Sequence, residues 1–259
     1  SSGTTGLPKA VMLTHRNLIA NVAQTGPGLA IDADDVLIAI LPFFHIYGQT
    51  VVMNAALRVG ATIVTLPRFD LEAFLGTIER YRVTRAFVAP PVVLALAKHP
   101  LVERFDLTSL DEVFSGAAPL GADLAEEASA RLGCPVVQGY GLTEASPVLT
   151  LVDHEGINRP GSIGPLVPNT EARIVDPDAG TDAAYGEPGQ LLVRGPQVMI
   201  GYLDDPDATA ATLDGVTDDG QHLGGFIVPG PELMMRSLWG GTSDLASHTA
   251  TSGAAAGAP

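Results

Sequence analysis

The sequence has a single cysteine, Cys134, and only 14 basic side chains against 29 acidic ones. One cysteine excludes an internal disulfide, and no group of Cys and His has zinc-site spacing, so a reducing cytoplasm is the expected location. The formal net charge of −15 excludes a general attraction to nucleic acid or to anionic membranes. Any nucleotide must therefore be bound by local features of the chain. Cys134 itself is predicted to be a core residue.

Long apolar runs and targeting signals are also missing. Runs such as residues 36–41 are far shorter than the roughly 18–20 residues that a membrane-spanning helix needs. No secretory signal and no initiator methionine open the chain, so a fragment of a longer protein is expected. A hydrophobic content of 46% with 17% charged residues predicts a folded globular chain with a buried core.

The apolar pattern predicts a layered α/β fold, with parallel sheets and helices. Continuous rather than alternating apolar runs indicate strands buried on both faces, at residues 36–41, 61–66, 85–89, 112–115 and 135–138. Helical patterns lie between them, at residues 48–57, 70–81, 91–98 and 121–132. Asp70 is the predicted N-cap of the second of these helices, and Gly133 is the predicted C-cap of the last.

The residue pattern of the chain changes after residue 148. Segments 171–176 and 190–194, separated by a Gly- and Pro-rich loop, predict a smaller β-rich subdomain over residues 149–213. Residues 214–259 end in a Ser/Thr/Gly/Ala tail that has little to bury and is predicted to be disordered. The predicted organisation is an α/β core at 1–148, the β-rich part at 149–213 and this tail.

The first nine residues, Ser-Ser-Gly-Thr-Thr-Gly-Leu-Pro-Lys, form a loop suited to binding an anion. Glycines allow tight folding, hydroxyls and free N–H groups donate hydrogen bonds, and Lys9 adds a positive charge. The spacing differs from G-x-x-x-x-G-K-[ST], so this is not the P-loop of kinases and GTPases. A mobile tail is the alternative for the first six residues. Residues 10–13 predict a strand, and Thr14 is the expected N-cap of a helix whose buried face includes Leu18, Ile19 and Val22.

Three other segments place candidate ligand-binding residues at or after the ends of predicted strands. His45 and Tyr47 lie in Pro-Phe-Phe-His-Ile-Tyr-Gly after a predicted strand, where open α/β sheets bind ligands, although a core or surface histidine is the alternative. Small residues at 116–119 follow another strand, and an ordinary β-α connection is their alternative. Residues 138–145, Gln-Gly-Tyr-Gly-Leu-Thr-Glu-Ala, place an aromatic ring, a hydroxyl and a carboxylate in one loop. Glu144 is the natural candidate for holding Mg²⁺ there.

These segments together resemble the motifs of the adenylate-forming enzymes, and most closely those of plant-type coumarate-CoA ligases and other acyl-CoA synthetases. The resemblance runs in order from residue 1 to about residue 213. It implies ATP contacts from Ser1, Ser2, Gly3, Thr4, Thr5, Gly6, Lys9, Gly116, Ala117, Ala118, Pro119, Gln138, Gly139, Tyr140, Gly141 and Thr143. It implies an acid pocket lined by His45, Tyr47, Ala117, Gln138 and Gly139. It also implies catalytic roles for His45, Thr143 and Glu144, with Mg²⁺ on Glu144 and the CoA phosphates near Arg68.

The implied reaction converts a carboxylic acid, ATP and coenzyme A into an acyl-CoA, AMP and pyrophosphate through an acyl-adenylate. Relatives that activate amino acids carry an Asp in the segment of His45, and its absence favours an acid without an α-amine. His45-Ile46-Tyr47 favours aryl or cinnamate-like acids, and medium- or long-chain fatty acids are the alternative. A luciferase-like oxidase and a non-catalytic nucleotide-binding relic also remain open. No obligate protein partner is expected.

The resemblance stops after Leu213. Related enzymes continue with a Thr-Gly-Asp whose Asp binds the ribose, and residues 215–220, Gly-Val-Thr-Asp-Asp-Gly, do not match it. A truncated or out-of-frame gene end is the hypothesis for this change. The chain as given is therefore expected not to complete catalysis.

Overall fold

The computed structural model describes residues 8–152 and 161–213, together with the backbone of residues 226–228. The chain forms two compact units. Of the described residues, the α/β unit comprises 11–152, 161–170 and 195–201, and the β unit comprises 8–10, 171–194, 202–213 and 226–228. The division falls after residue 170, whereas the sequence placed a boundary after residue 148. Most of the tail that was predicted to be disordered, 214–259, lies outside the described residues.

The strands and helices alternate along the first two thirds of the chain. The strands are β1 (Val11–Met12), β2 (Val36–Ala39), β3 (Thr62–Thr65), β4 (Arg85–Val88), β5 (Glu112–Ser115), β6 (Val136–Gly141), β7 (Val148–Leu151), β8 (Glu171–Val175), β9 (Gln190–Arg194), β10 (Gly201–Tyr202) and β11 (Phe226–Val228). The α-helices are α1 (His15–Leu29), α2 (Ala55–Val59), α3 (Leu71–Tyr81), α4 (Pro90–Lys98), α5 (Ala122–Leu132) and α6 (Pro206–Thr212). A π-helix spans Tyr47–Asn54, and 3₁₀ turns span Pro100–Arg104 and Thr143–Ala145.

The α/β unit is built on a six-stranded sheet of order β3-β2-β4-β5-β6-β7. Its first five strands are parallel, and β7 runs antiparallel to β6. The five predicted strands of a covered parallel sheet are therefore confirmed. The boundary that the sequence predicted after residue 148 falls at the first residue of β7.

Alternate residues of each strand enter separate hydrophobic cores on the two faces of the sheet. Ile38, Ala86 and Val113 pack with α3, α4 and α5, while Leu37 and Phe87 pack with the π-helix and α2. Right-handed crossovers explain this split, because the connection from β2 to β3 moves the opposite way along the sheet from the later connections. Cys134 lies in the first core, as predicted.

Helix α1 begins at the predicted cap but buries a different face. Thr14 Oγ1 accepts a hydrogen bond from Asn17 N at 3.1 Å, and Asn17 Oδ1 accepts one from Thr14 N at 2.8 Å. Ile19, which was assigned to the buried face, is 67% exposed. That prediction was wrong because the space beneath α1 is occupied by backbone with polar groups to satisfy. Val22 does lie on the buried face, beside Asn21.

The predicted helix at 48–57 is confirmed in place, but its first part is a π-helix. Ala55 N donates to Thr50 O, five residues back. A π-helical turn is rare and often marks a functional site. The approach to it is tight, since a Cβ on Gly48 would lie 2.5 Å from Pro42 O. Only glycine fits at this position.

The β unit contains an antiparallel sheet of order β11-β9-β8, which includes both strands predicted for the β-rich part. Helix α6 is capped by Asp205, whose Oδ1 accepts from Ala208 N at 3.0 Å. Lys9 belongs to this unit, and its Nζ lies 5.0 Å from the ring centroid of Tyr202. No helix among the described residues is long and apolar enough to cross a membrane.

Candidate active site

The candidate site residues of the α/β unit follow the carboxyl ends of its parallel strands. Along the sheet, the chain moves from β2 outward to β3 and from β4 in the opposite direction through β5 and β6. The strand order therefore reverses between β2 and β4, and open α/β sheets bind ligands in the crevice at such a switch point. Residues after β2, β5 and β6 converge on this edge, as the sequence predicted for three of its segments.

His45 lies in the turn that connects β2 to the π-helix, and Tyr47 is the first residue of that helix. His45 is exposed, and its Nδ1 accepts a hydrogen bond from Tyr47 N at 3.2 Å. Because Nδ1 is the acceptor, the proton of the neutral ring sits on Nε2, which is left to donate to a ligand. Partial burial of the ring lowers the pKa of His45, so the neutral form is favoured.

Tyr47 reaches beneath the loop that follows β5. Its ring is buried, and its hydroxyl donates to Phe114 O at 3.2 Å. Burial, with a smaller contribution from the charge of Glu112, raises the pKa of Tyr47 well above its usual value. A Cβ on Gly116 would lie 2.9 Å from Tyr47 Cε1, so glycine is required where the loop crosses the ring. The structure thus brings His45, Tyr47 and the loop of Gly116 together.

The loop after β5, residues 116–120, is fastened to β6 by one side chain. Gln138 Oε1 accepts from Leu120 N at 3.1 Å, and Gln138 Nε2 donates to Leu120 O at 3.2 Å. Ala117 and Pro119 are exposed at the crest of the loop, and Ala117 has a left-handed φ of 70°. The Gln138 amide was predicted as a ligand contact, but the structure gives it a backbone partner instead. Its main-chain carbonyl also has a partner, because it accepts from Val152 N at 3.3 Å. A contact of Gln138 with ATP or the acid stays a prediction.

Strand β6 ends in a tight hairpin that carries Tyr140, Thr143 and Glu144. A Cβ on Gly139 would lie 2.7 Å from Thr150 O, and one on Gly141 would lie 2.4 Å from Pro147 O. Glycine at both positions lets the hairpin close. Tyr140 is half-buried, and burial followed by the nearby negative charge of Glu144 raises its pKa. The phenol and the carboxylate of the predicted motif therefore share one environment.

Glu144 is buried, and its neighbour Thr143 is half-buried. The backbone of the turn is fixed, since Met199 N donates to Glu144 O at 2.8 Å. The described residues contain no group of three or more His, Cys, Asp or Glu that could hold a metal. One carboxylate with a neighbouring hydroxyl does not suit a metal held by protein alone. It does suit Mg²⁺, which keeps waters and binds through one or two carboxylates and substrate phosphates.

The remaining predicted residues lie elsewhere. Ser1, Ser2, Gly3, Thr4, Thr5 and Gly6 are outside the described residues. Arg68 follows β3, the neighbour of β2, and its side chain is exposed at the same edge of the sheet. Its role toward CoA stays a prediction.

Sequence reasoning missed a buried ionic group at the opposite edge of the sheet. Arg85 Nε lies 3.3 Å from Asp35 Oδ1, and Arg85 Nη1 lies 3.6 Å from Glu112 Oε1. The three residues stand at the amino ends of β2, β4 and β5. The available signal was a charged residue at the start of each apolar strand, which a fully buried strand tolerates only when it is paired.

Comparison with known proteins assigns the class: residues 1–203 match the family model described as AMP-binding enzyme, and the chain belongs to that family. A second model, type III pantothenate kinase, matches residues 207–257. Among curated relatives, 4-coumarate–CoA ligase 2 of Oryza sativa subsp. japonica is 50% identical over 223 residues, covering 83% of this chain and 39% of the relative. 4-Coumarate–CoA ligase 1 of Solanum tuberosum is 46% identical over 246 residues, covering 91% and 45%.

Solved structures agree on the fold. The ATP-bound MatB of Rhodopseudomonas palustris superposes with a TM-score of 0.78 at 34% identity, covering 88% of this chain and 43% of that one. A long-chain-fatty-acid-CoA ligase of Archaeoglobus fulgidus gives 0.77 at 26% identity, covering 88% and 47%. The resemblance to adenylate-forming enzymes and the α/β fold class are thus confirmed. The chain spans less than half the length of each of these relatives.

Proposed function

We propose that this chain is the nucleotide- and acid-binding part of an ATP-dependent carboxylic acid–CoA ligase. The observation that carries the proposal is the close packing of Tyr47 against Gly116, in a loop that the Gln138 amide holds through Leu120, at the carboxyl edge of the sheet. Together with the turn after β6, this arrangement supplies an aromatic ring, a loop of small residues and the Glu144 carboxylate along one edge of the sheet. The relatives named 4-coumarate–CoA ligase favour the same activity.

Each part of the site has a physical role in the proposed first half-reaction, in which an acid carboxylate attacks the α-phosphorus of ATP and pyrophosphate leaves. The crest at Ala117 offers the adenine ring a surface without large side chains, and Tyr140 offers a ring for stacking. Glu144 would hold Mg²⁺, which supplies positive charge near the phosphates. Lys9, Ser1, Ser2, Thr4 and Thr5 would steady the leaving pyrophosphate. Such catalysis works by positioning and by charge neutralisation.

His45 gives the acid its orientation. With Nδ1 occupied by Tyr47 N, the Nε2–H group is the donor available to an acid oxygen. The lowered pKa keeps the ring neutral, so that it donates a hydrogen bond without forming an ion pair that would hold the ground-state carboxylate too firmly. The proposed second half-reaction transfers the acyl group from AMP to the thiol of coenzyme A, and Arg68 is the proposed contact for the CoA phosphates.

An aryl or cinnamate-like acid is the proposed substrate. The proposed contact for the acid is the ring of Tyr47, which is held in place by its hydrogen bond to Phe114 O and by the backbone of Gly116. A fixed aromatic ring favours a planar aromatic partner through offset or edge-to-face packing, worth about 0.5–1.5 kcal/mol. A fatty acid has no aromatic ring and cannot gain this packing energy. Medium- and long-chain acids are therefore the second candidate substrates.

Binding of two acyl-sulfamoyl adenosine analogues tests the proposal on the chain as it exists. Calorimetry should show tighter binding of the 4-coumaroyl analogue than of the octanoyl analogue, by about 2- to 10-fold. Tyr47→Leu should remove the preference, and Tyr81→Leu, at an exposed tyrosine on α3, is the matched control that should keep it. Equal affinity for both analogues would contradict the aryl preference. If neither analogue bound, the ligase proposal itself would be contradicted.

Acid-dependent exchange of labelled pyrophosphate into ATP separates an enzyme from a binding relic. The experiment should use a chain extended to the length of its relatives alongside the present chain. Exchange by the extended chain supports a ligase, and nucleotide binding without exchange supports the relic.

A further inference from the structure

Helix α1 buries a row of amide side chains where an amphipathic helix normally places aliphatic ones. Asn17, Asn21 and Gln24 occupy successive turns of one face, and all three are buried. Each donates a hydrogen bond to backbone that belongs to neither a helix nor the middle of a strand. Asn17 Nδ2, for example, donates to Pro196 O at 2.8 Å and to Val198 O at 2.9 Å. The row therefore satisfies irregular backbone that would otherwise be buried without partners.

Asn21 makes the most exacting contact of this row. Its Nδ2 donates to Val148 O at 2.8 Å, and its Oδ1 accepts from Val148 N at 3.0 Å. The side chain is completely buried, and a further bond from Nδ2 to Gln24 Oε1 at 3.3 Å fixes its orientation. The Asn21 amide thus makes with Val148 the pair of hydrogen bonds that a residue of a neighbouring strand would make. Val148 is the first residue of β7, immediately after the turn that carries Glu144.

Three other bonds define the same turn. Leu142 N donates to Pro147 O at 2.9 Å and closes its base. Ser146 Oγ donates to Gln197 O at 2.8 Å, and Met199 N donates to Glu144 O at 2.8 Å. The last two attach the turn to segment 195–199, which the amides of Asn17 and Gln24 hold in turn. Asn21 alone among the described side chains bonds the descending arm of the turn directly to α1.

We infer that Asn21 is a positioning residue for Glu144: its paired hydrogen bonds to Val148 set the backbone of the turn, and so set where the Glu144 carboxylate meets the magnesium–nucleotide complex. The inference rests on the proposed function. Asn21 contacts no substrate itself. It acts through Val148, four residues along the chain from Glu144 and across a turn whose base is closed by Leu142 and Pro147.

A purely structural role for Asn21 predicts a different outcome, and one control separates the two. Thr25 lies one turn further along α1, is also completely buried, and donates only to carbonyls of its own helix, at 3.0 Å to Asn21 O and 3.4 Å to Val22 O. Thr25→Val removes a buried hydroxyl from the same helix without touching the turn. Asn21→Leu removes both bonds to Val148 while keeping the number and branching of the side-chain heavy atoms, and Asn21→Ser, which is smaller, serves if the leucine variant does not fold.

Two measurements on the whole chain test the inference. Backbone hydrogen exchange in residues 142–148, without ligand, should be about tenfold faster in Asn21→Leu than in wild type and unchanged in Thr25→Val. The dissociation constant of ATP at saturating Mg²⁺, measured by calorimetry, should rise about tenfold in the Asn21 variant relative to Thr25→Val. Without Mg²⁺, the two variants should bind ATP alike, because the carboxylate acts through the metal.

The outcomes are distinguishable. Equal exchange at 142–148, or equal magnesium-dependent affinity in the Asn21 and Thr25 variants, would overturn the positioning role. A wild-type chain that binds no magnesium–ATP would overturn the proposed function and this inference with it. A uniform loss of affinity with and without Mg²⁺ would assign Asn21 to general stability, which also overturns the inference.

Discussion

The side-chain amide of Gln138 uses both of its polar ends on the backbone of one residue, Leu120, at 3.1 Å and 3.2 Å. The two residues are buried, and the bonds cross from the middle of β6 to the end of the loop that follows β5. The loop begins with a bond from Gly116 N to Val88 O of β4 at 3.0 Å, and the amide pairs its far end. The shape of the loop, which is the proposed surface for adenine, therefore depends on a side chain of the neighbouring strand.

Replacing this amide should loosen the loop. Gln138→Met keeps the length and most of the volume but leaves Leu120 N and O unpaired, which should lower the free energy of unfolding by about 1–3 kcal/mol. If most of this free-energy loss arises from disorder of the loop, AMP affinity should fall by about 5- to 30-fold. Urea unfolding and calorimetry measure the two effects. Gln190→Met, at a half-buried glutamine of β9, is the control, and equal behaviour of the two variants would contradict the role of the Gln138 amide in holding the loop.

Glycine at 116 is expected to matter for the acid more than for the nucleotide. A Cβ there would lie 2.9 Å from Tyr47 Cε1 and 3.2 Å from its hydroxyl oxygen, so Gly116→Ala must push the ring away from Phe114 O. The expected result is a loss of affinity for the coumaroyl analogue of about 5- to 30-fold, comparable to one lost hydrogen bond with its packing. AMP affinity should change by less than threefold or so.

The control for this prediction lies in the same segment. A Cβ on Gly121 would meet nothing within 4 Å, and Gly121→Ala should leave binding of the coumaroyl analogue unchanged while costing at most about 1 kcal/mol of helix capping. If Gly116→Ala and Gly121→Ala bind the analogue alike, the ring of Tyr47 is not the element that Gly116 protects.

The sequence predicted those parts of the fold that depend on local and apolar signals. Five parallel strands appeared as continuous apolar runs, and the caps at Asp70 and Gly133 were placed correctly because each is decided within a few residues. Asp70 Oδ1 accepts from Ala73 N at 2.9 Å, and Gly133 has a left-handed φ of 74°. The resemblance supplied the site residues, and the structure groups those of the α/β unit at one edge of the sheet.

What the sequence did not predict depends on distant partners. Asn21 is buried only because Val148, 127 residues away, presents backbone groups to it, and no hydrophobic period signals such a need. The reverse error was made for Ile19, an exposed residue that was assigned to the core. Its apolar side chain on the same helix as Val22 looks in sequence like that of a buried residue. The π-helix escaped prediction because its 50–54 region has an ordinary helical composition, and only the fold of residues 42–48 imposes the wider turn.

The buried charges at the amino edge of the sheet should make Arg85 one of the least replaceable side chains in the α/β unit. Its side chain is 7% exposed and lies between carboxylates of Asp35 and Glu112, which are 7% and 3% exposed. Arg85→Met leaves both carboxylates buried without their cation, and the free energy of unfolding should fall by about 3–5 kcal/mol. Urea unfolding at neutral pH measures this loss.

Two comparisons check that burial is the cause. Arg82→Met removes an exposed pair, with 2.9 Å between Arg82 Nη1 and Asp106 Oδ2, and should cost about 1 kcal/mol or less. The triple variant that adds Asp35→Asn and Glu112→Gln to Arg85→Met should recover part of the loss, because no charge is then left buried. Equal destabilisation by Arg85→Met and Arg82→Met would contradict the assignment.

His45 should make the stability of the protein depend on pH below neutrality. Partial burial lowers its pKa in the folded state, and the Nδ1 atom that accepts from Tyr47 N at 3.2 Å would lose this bond on protonation. The unfolded chain titrates near the ordinary histidine value of about 6.5, so it binds more protons than the native state as the pH falls through that value. The free energy of unfolding should therefore fall between about pH 7.5 and the lower native pKa, and level off below it. In His45→Gln this contribution is absent, and the difference between variant and wild type, measured by urea unfolding from pH 7.5 to 5, should shift in favour of the variant as the pH falls. Subtracting the two curves cancels all other titrating groups, so parallel curves would show that the His45 ring is as free to protonate in the fold as in the unfolded chain.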